Sequence, residues 1–97
     1  MPRLPKGIRF VRGSGDAKYT AILPNGKRVS FGNKNYQHYR DSVPVSLGGG
    51  IWKHKDHNDP VRRRSYRARH GGMRCKDGTK CITKLYSRAW FSYHFLW

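Results

Sequence analysis

The side chains able to do chemistry crowd into residues 54–72, HKDHNDPVRRRSYRARHGG, with a pair of cysteines just beyond. Histidine nitrogen and cysteine sulfur are the usual ligands of tetrahedral zinc, so His54, His57, His70, Cys75 and Cys81 form the set to weigh. Their spacing speaks against it: five residues separate the cysteines, where zinc-binding pairs leave about two to four. His54 and His57 also stand among cations, which repel a metal unless a thiolate offsets them. A metal-dependent nuclease built on His54, Asp56 and His57 would need a cluster of hard ligands and a positioned base, and no second cluster is visible. No metal or other cofactor is expected. Across its Lys-Asp-Gly-Thr turn the Cys75/Cys81 loop could close as a disulfide. A reducing compartment would keep both thiols free, so the sequence leaves both states open.

The remaining chemistry is that of arginine. Arg62, Arg63, Arg64, Arg67 and Arg69, flanked by Lys53, Lys55, Arg74 and Lys76, offer phosphate or acidic-surface contacts with little sequence information. A solvated basic face is the plain alternative, but no glutamate is interleaved to make the usual salt-laced surface helix. The whole chain extends the pattern, with 21 Lys and Arg against 5 acids, all of them Asp, and a net charge of +16. A domain so charged repels itself and belongs beside a polyanion. Paired-carboxylate catalysis would require scattered aspartates to converge, and neither a phosphate-binding Gly-rich loop nor a nucleophile elbow is present. A non-enzymatic protein with no small-molecule substrate is expected. No apolar run is long enough to span a membrane, and the first residues lack the apolar stretch of a secretory signal.

These residues must be positioned by one small α+β domain, since 97 residues allow a single marginal core. Residues 1–6 read as an extended basic arm and residues 7–97 as the domain. Residues 7–12 alternate, with Ile8 and Phe10 on one face, which predicts a short strand. Residues 18–31 predict a hairpin about Asn25-Gly26 in a type I′ turn, giving a three-stranded antiparallel sheet with Tyr19, Ala21, Leu23, Val29 and Phe31 on its buried face. Tyr36 and Tyr39 are three apart, as in one helical turn, and are expected to pack on the hairpin, with ligand stacking as the alternative. Residues 42–51, with Pro44 and three consecutive glycines, read as a loop. Asp59 as N-cap, Pro60 at the first position and Gly71-Gly72 at the end predict a basic helix over about residues 60–69. Val61, Ser65 and Ala68 would form its thin apolar seam, with help from Tyr66. The aromatic tail of residues 90–97 is expected to close the core through Trp90, Phe91, Phe95, Leu96 and Trp97. The alternative is docking into a neighbouring subunit.

The order of short motifs resembles a family of small basic proteins encoded by large nucleocytoplasmic double-stranded DNA viruses. The hairpin ends Phe31-Gly32, Tyr36 and Tyr39 precede Asp41, and His57 and Asp59 lead into Arg62, Arg63, Tyr66, Arg69 and His70. Ser92, Leu96 and Trp97 then stand in the terminal aromatic motif; the resemblance spans residues 18–72 and 90–97 and leaves out the arm and both cysteines. It implies a virus-encoded protein without established catalytic activity. With the charge and the aromatic tail, the expectation is a minor capsid protein at the inner face of the virion shell, made and assembled in the host cytoplasm. It would cement major capsid proteins and other minor capsid proteins to their neighbours, to the anionic inner membrane or to the genomic DNA. The alternative is a sequence-nonspecific viral DNA-binding or packaging protein.

Overall fold

Period-two alternation of large apolar with polar side chains builds the sheet. Strand β1 (Arg9–Arg12) pairs antiparallel with β2 (Tyr19–Ile22), and β2 with β3 (Arg28–Phe31), in the order β1-β2-β3. In this computed structural model, which describes residues 4–97, Phe10 lies opposite Ala21, and Tyr19 opposite Phe31. That register puts Phe10, Tyr19, Ala21 and Phe31 on one buried face, as the alternation predicts. The β2–β3 turn differs from expectation. Pro24 and Asn25 occupy its centre, Gly26 N–H donates to Leu23 C=O at 2.9 Å, and Gly26 alone takes positive φ, at 87°. This is the three-residue loop with a glycine bulge rather than type I′: a type I′ turn centred on Asn25-Gly26 would pair Pro24 with Lys27, and proline has no N–H to donate to the Lys27 carbonyl, which accepts from Leu23 N–H at 2.9 Å instead. The first half of the expected arm, residues 1–3, lies outside the described residues; Leu4 packs against the edge of the core.

The aromatic tail closes the core, and it does so as a helix. Ser87 is its N-cap, the side-chain hydroxyl accepting from Trp90 N–H at 3.2 Å. With α1 assigned to Pro60–Gly71, this second helix is α2, Arg88–Phe95. Trp90, Phe91, Phe95 and Leu96 are buried against the sheet. Phe91 stacks on Phe31 with centroids 5.2 Å apart and meets Phe10 edge-on at 5.8 Å. Each such ring contributes about 1.5–3 kcal/mol through burial, with aromatic pair geometry adding to it. Glycine is required where the chain passes closest: a Cβ on Gly48, whose φ is 106°, would fall 1.9 Å from the Phe10 carbonyl oxygen. The loop of residues 42–51, with a 3₁₀ turn at Val45–Leu47, is thereby pressed onto β1.

Helix α1 forms as its caps predict, and runs two residues further than residue 69. The Asp59 carboxylate accepts from Val61 and Arg62 N–H at 2.9 and 3.4 Å, and Gly72 ends it. Its expected seam is not its packed face. Val61 is 64% exposed, and Ser65 and Ala68 also face solvent. Besides the closing Gly71, the half-buried residues are Arg63, Tyr66, Arg67 and His70, at helical spacing. Tyr66 stacks flat on Trp97 at 4.1 Å, while the Arg63 and Arg67 guanidinium groups lie over Tyr39 at 4.8 Å and Tyr93 at 4.4 Å. Arginine stems and rings thus replace the aliphatic stripe.

Candidate functional site

Where the exposed side of α1 faces the loop after β3 and the start of α2, a cleft of about 780 Å³ opens. Arg62 and Arg69 reach it from α1, Arg88 from α2, and Tyr36 and Gln37 from the loop; Leu96 and Trp97 lie against it from the core. Not one of its lining residues is acidic. The Arg62 Nη1 donates to Gln37 Oε1 at 2.9 Å, tying helix to loop. Arg88 is exposed, and its Nε donates to the Ser30 carbonyl at 3.0 Å, which fixes its stem. Tyr36 is 68% exposed, so it does not pack on the hairpin as expected. A turn, not a helix, carries it, with Tyr36 N–H donating to Asn33 C=O at 3.2 Å. Tyr39 is the ring that packs, beneath Arg63 and against His57.

Beneath the cleft runs a buried polar chain that the sequence did not reveal. Lys18 lines the cleft and is itself buried, its Nζ 2.7 Å from His38 Nδ1. A lysine only donates, so Nδ1 accepts; His38 Nε2 therefore carries the proton and donates to Asp56 Oδ1 at 2.6 Å. Asp56 Oδ1 also accepts from Asp41 N–H at 2.8 Å. Asp41 in turn accepts from the Tyr19 hydroxyl at 2.5 Å and from Trp52 N–H at 2.9 Å. Burial pulls the Lys18 amine down to about 8, with the Lys55 charge acting in the same direction. Burial foremost, then the Lys18 charge, also lowers His38, against the pull of Asp56. Burial and the bond to Asp41 push the Tyr19 phenol well above its ordinary range. The carboxylates satisfy donors and fix the 38–42 and 51–56 segments to the sheet. Nothing in the sequence distinguishes Lys18 from the other Lys and Arg residues as a buried one.

The arginines divide. Arg63 and Arg67 each donate from Nε to the Trp97 main-chain oxygen, at 2.8 and 3.1 Å, and serve the fold. Arg62, Arg64 and Arg69 are exposed. Lys53 is exposed on a 3₁₀ turn (Lys53–Lys55) and Lys55 is half-buried; neither lines the cleft. Arg74 lies outside the cleft too, its Nη1 donating to the Gly78 carbonyl at 2.7 Å within the cysteine loop.

The zinc set disperses. Cys75 and Cys81 are bonded to each other, so neither is a thiolate ligand. His54 lies over Trp52, and His70 stacks on Tyr66 at 4.0 Å. His57 Nδ1 accepts from Asp59 N–H at 2.9 Å, which leaves Nε2–H a buried donor with no hydrogen-bond partner among the described residues. Nor does a nuclease triad converge, since Asp56 is committed to His38. Among the described residues no group of three or more His, Cys, Asp or Glu is placed to hold a metal ion.

No family model, curated protein or solved structure matches this chain. No helix of the described residues is long and apolar enough to cross a membrane.

Proposed function

We propose that this protein is a non-enzymatic structural component of a virion, a minor capsid protein whose basic surface holds a polyanion, the packaged DNA first. One observation carries the reading: four of the five aspartates are taken up by partners within the fold, while most of the cations stand exposed. Asp41 and Asp56 are hubs of the buried chain, Asp59 caps α1, and Asp77 pairs with Lys84 at 3.0 Å. Arg62, Arg64, Arg69 and Lys53 remain exposed. The net charge of +16 is therefore an outward field with little local compensation. Phosphate contacts of this kind favour any nucleic acid without reading its sequence. The resemblance to small basic proteins of large DNA viruses supplies the viral setting. Major and other minor capsid proteins are the further partners in this reading, with the inner membrane as another anionic surface.

Duplex DNA should bind with an affinity that falls linearly in log–log form as salt rises. Absence of binding at about 50 mM salt, where phosphate contacts are strong, would remove the polyanion reading. The structural role is tested separately by quantifying the protein in purified virions: repeated stoichiometric copies support it, and absence removes it.

A further inference from the structure

The cleft has a feature that duplex binding does not use. Tyr36 is 68% exposed, and among the described residues no aromatic ring or cation stacks on it, unlike Tyr39, Tyr66 and Tyr93. A large exposed ring that lines a concave site together with Arg62, Arg69 and Arg88 and no carboxylate pairs a stacking platform with phosphate-binding groups. The cleft's volume of about 780 Å³ lies within the span of small-molecule sites, ample for a nucleotide unit. Paired bases in a duplex keep their faces covered by their neighbours, whereas a single strand offers them freely.

We propose that the cleft is a subsite for single-stranded nucleic acid, stacking one base on Tyr36 and setting the flanking phosphates against Arg62, Arg69 and Arg88. The inference rests on the polyanion reading above and narrows it to a strand with an open base. Gln37 contributes by holding Arg62 across the cleft mouth at 2.9 Å, so the cation is in place before the strand arrives. An acidic peptide could meet the same arginines, but it has no use for an exposed ring between them.

The test uses the full chain and fluorescence anisotropy with labelled oligothymidylate of about 12 nucleotides, a length within single-strand site sizes, alongside a duplex of the same length. Tyr36→Ala should weaken single-strand binding about tenfold, the loss of one stacked base, and leave duplex binding unchanged. Tyr36→Phe, which keeps the ring, should bind the strand as the native chain does. Arg62→Ala should shallow the salt dependence for the strand by about one phosphate contact. Circular dichroism of Tyr36→Ala should match the native chain, because so exposed a ring supports no packing.

Several results would overturn the proposal. Strand binding unchanged in Tyr36→Ala, or strand and duplex weakened alike, removes the stacking subsite while the polyanion reading stands. A glutamate-rich peptide that binds where the oligonucleotide does not makes the cleft a peptide site. If neither strand nor duplex binds, the polyanion reading falls together with this one.

Discussion

The two helices of this protein are held by opposite means. Helix α2 lays Trp90, Phe91 and Phe95 into the sheet, and each is almost fully buried. Helix α1 buries no residue outright and is attached by arginine stems, a Tyr66–Trp97 stack and the Trp97 main-chain oxygen. Burial of apolar area is not screened by salt, whereas cation–π and charge-assisted contacts at a surface are. The α2 half should therefore behave as a fixed scaffold and the α1 half as an adjustable one. A polyanion meeting the α1 side would also relieve the repulsion among its own cations. Stability therefore rests on α2 and the sheet, while α1 contributes exposed cations that no core depends on, joined in the cleft by Arg88 of α2.

The sharpest way to break that contrast is Phe91→Ala. It should cost about 3–5 kcal/mol, a large part of what a small domain possesses. The midpoint of denaturant unfolding should fall for the whole chain, and a loss below about 1 kcal/mol would sink the scaffold picture. Trp97→Ala should cost less, about 2 kcal/mol, because Trp97 is only half-buried and its stack with Tyr66 is partly open. Hydrogen exchange should quicken in α1 while the amides of β2 stay protected. Uniform acceleration across the sheet would mean that the two halves are one cooperative unit.

Much of this contrast was legible in the sequence. The sheet faces followed from alternation at Phe10, Tyr19, Ala21 and Phe31, and the α1 boundaries followed from Asp59, Pro60 and the closing glycines. The second helix was hidden because its aromatics read equally as an extended tail, although Ser87 three residues before Trp90 was a cap signal. The packed face of α1 was misread because hydropathy ranks Val61 and Ala68 above arginine. The fold instead uses arginine's aliphatic stem and planar head against rings. The Lys18–His38–Asp56 chain joins residues 20 and 18 positions apart, and nothing local marks such partners. The cleft is half legible: Arg62 and Arg69 stand out but Arg88 does not, and Tyr36 is expected on the hairpin, with ligand stacking only as the alternative, because aromatic residues usually pack.

Acid should act on both halves, gradually. His38 is lowered from its ordinary 6.5 by burial first and the Lys18 charge second. His57, His70 and His94 move the same way, each by burial and then by a neighbouring arginine. The unfolded chain therefore binds more protons than the folded one below pH 6.5, and stability falls as pH drops through that range. Lys18, held down to about 8 from 10.5, is penalised in its charged form at neutral pH. That penalty lifts as pH rises from about 8 toward 10.5, so stability should climb there. Unfolding midpoints measured from pH 5 to pH 10 check both limbs, within the range where these groups titrate. His38→Gln should flatten the acid limb, and an unchanged limb would place its origin in the histidines around α1. Asp59→Ala, which removes the cap of α1, should cost about 1 kcal/mol. Its effect should be confined to exchange in the first turn of α1.

The smallest effect on stability is the most telling for function, and it comes from neighbouring residues on one helix. Arg64 is exposed and makes no side-chain hydrogen bond or ion pair among the described residues, while Arg63 is half-buried, lies over Tyr39 and donates to the Trp97 oxygen. Arg64→Ala should leave stability within about 0.5 kcal/mol, as surface substitutions do. It should nonetheless lower the salt slope of polyanion binding by about one contact. Arg63→Ala should do the reverse, lowering the unfolding midpoint and loosening α1 while leaving the slope nearly unchanged. Titrations at several salt concentrations, paired with unfolding curves, read both quantities for each variant. Equal slopes lost from both would show that the inner arginines leave Trp97 to meet the ligand. In that case α1 would be released from the fold by the same charge that it binds.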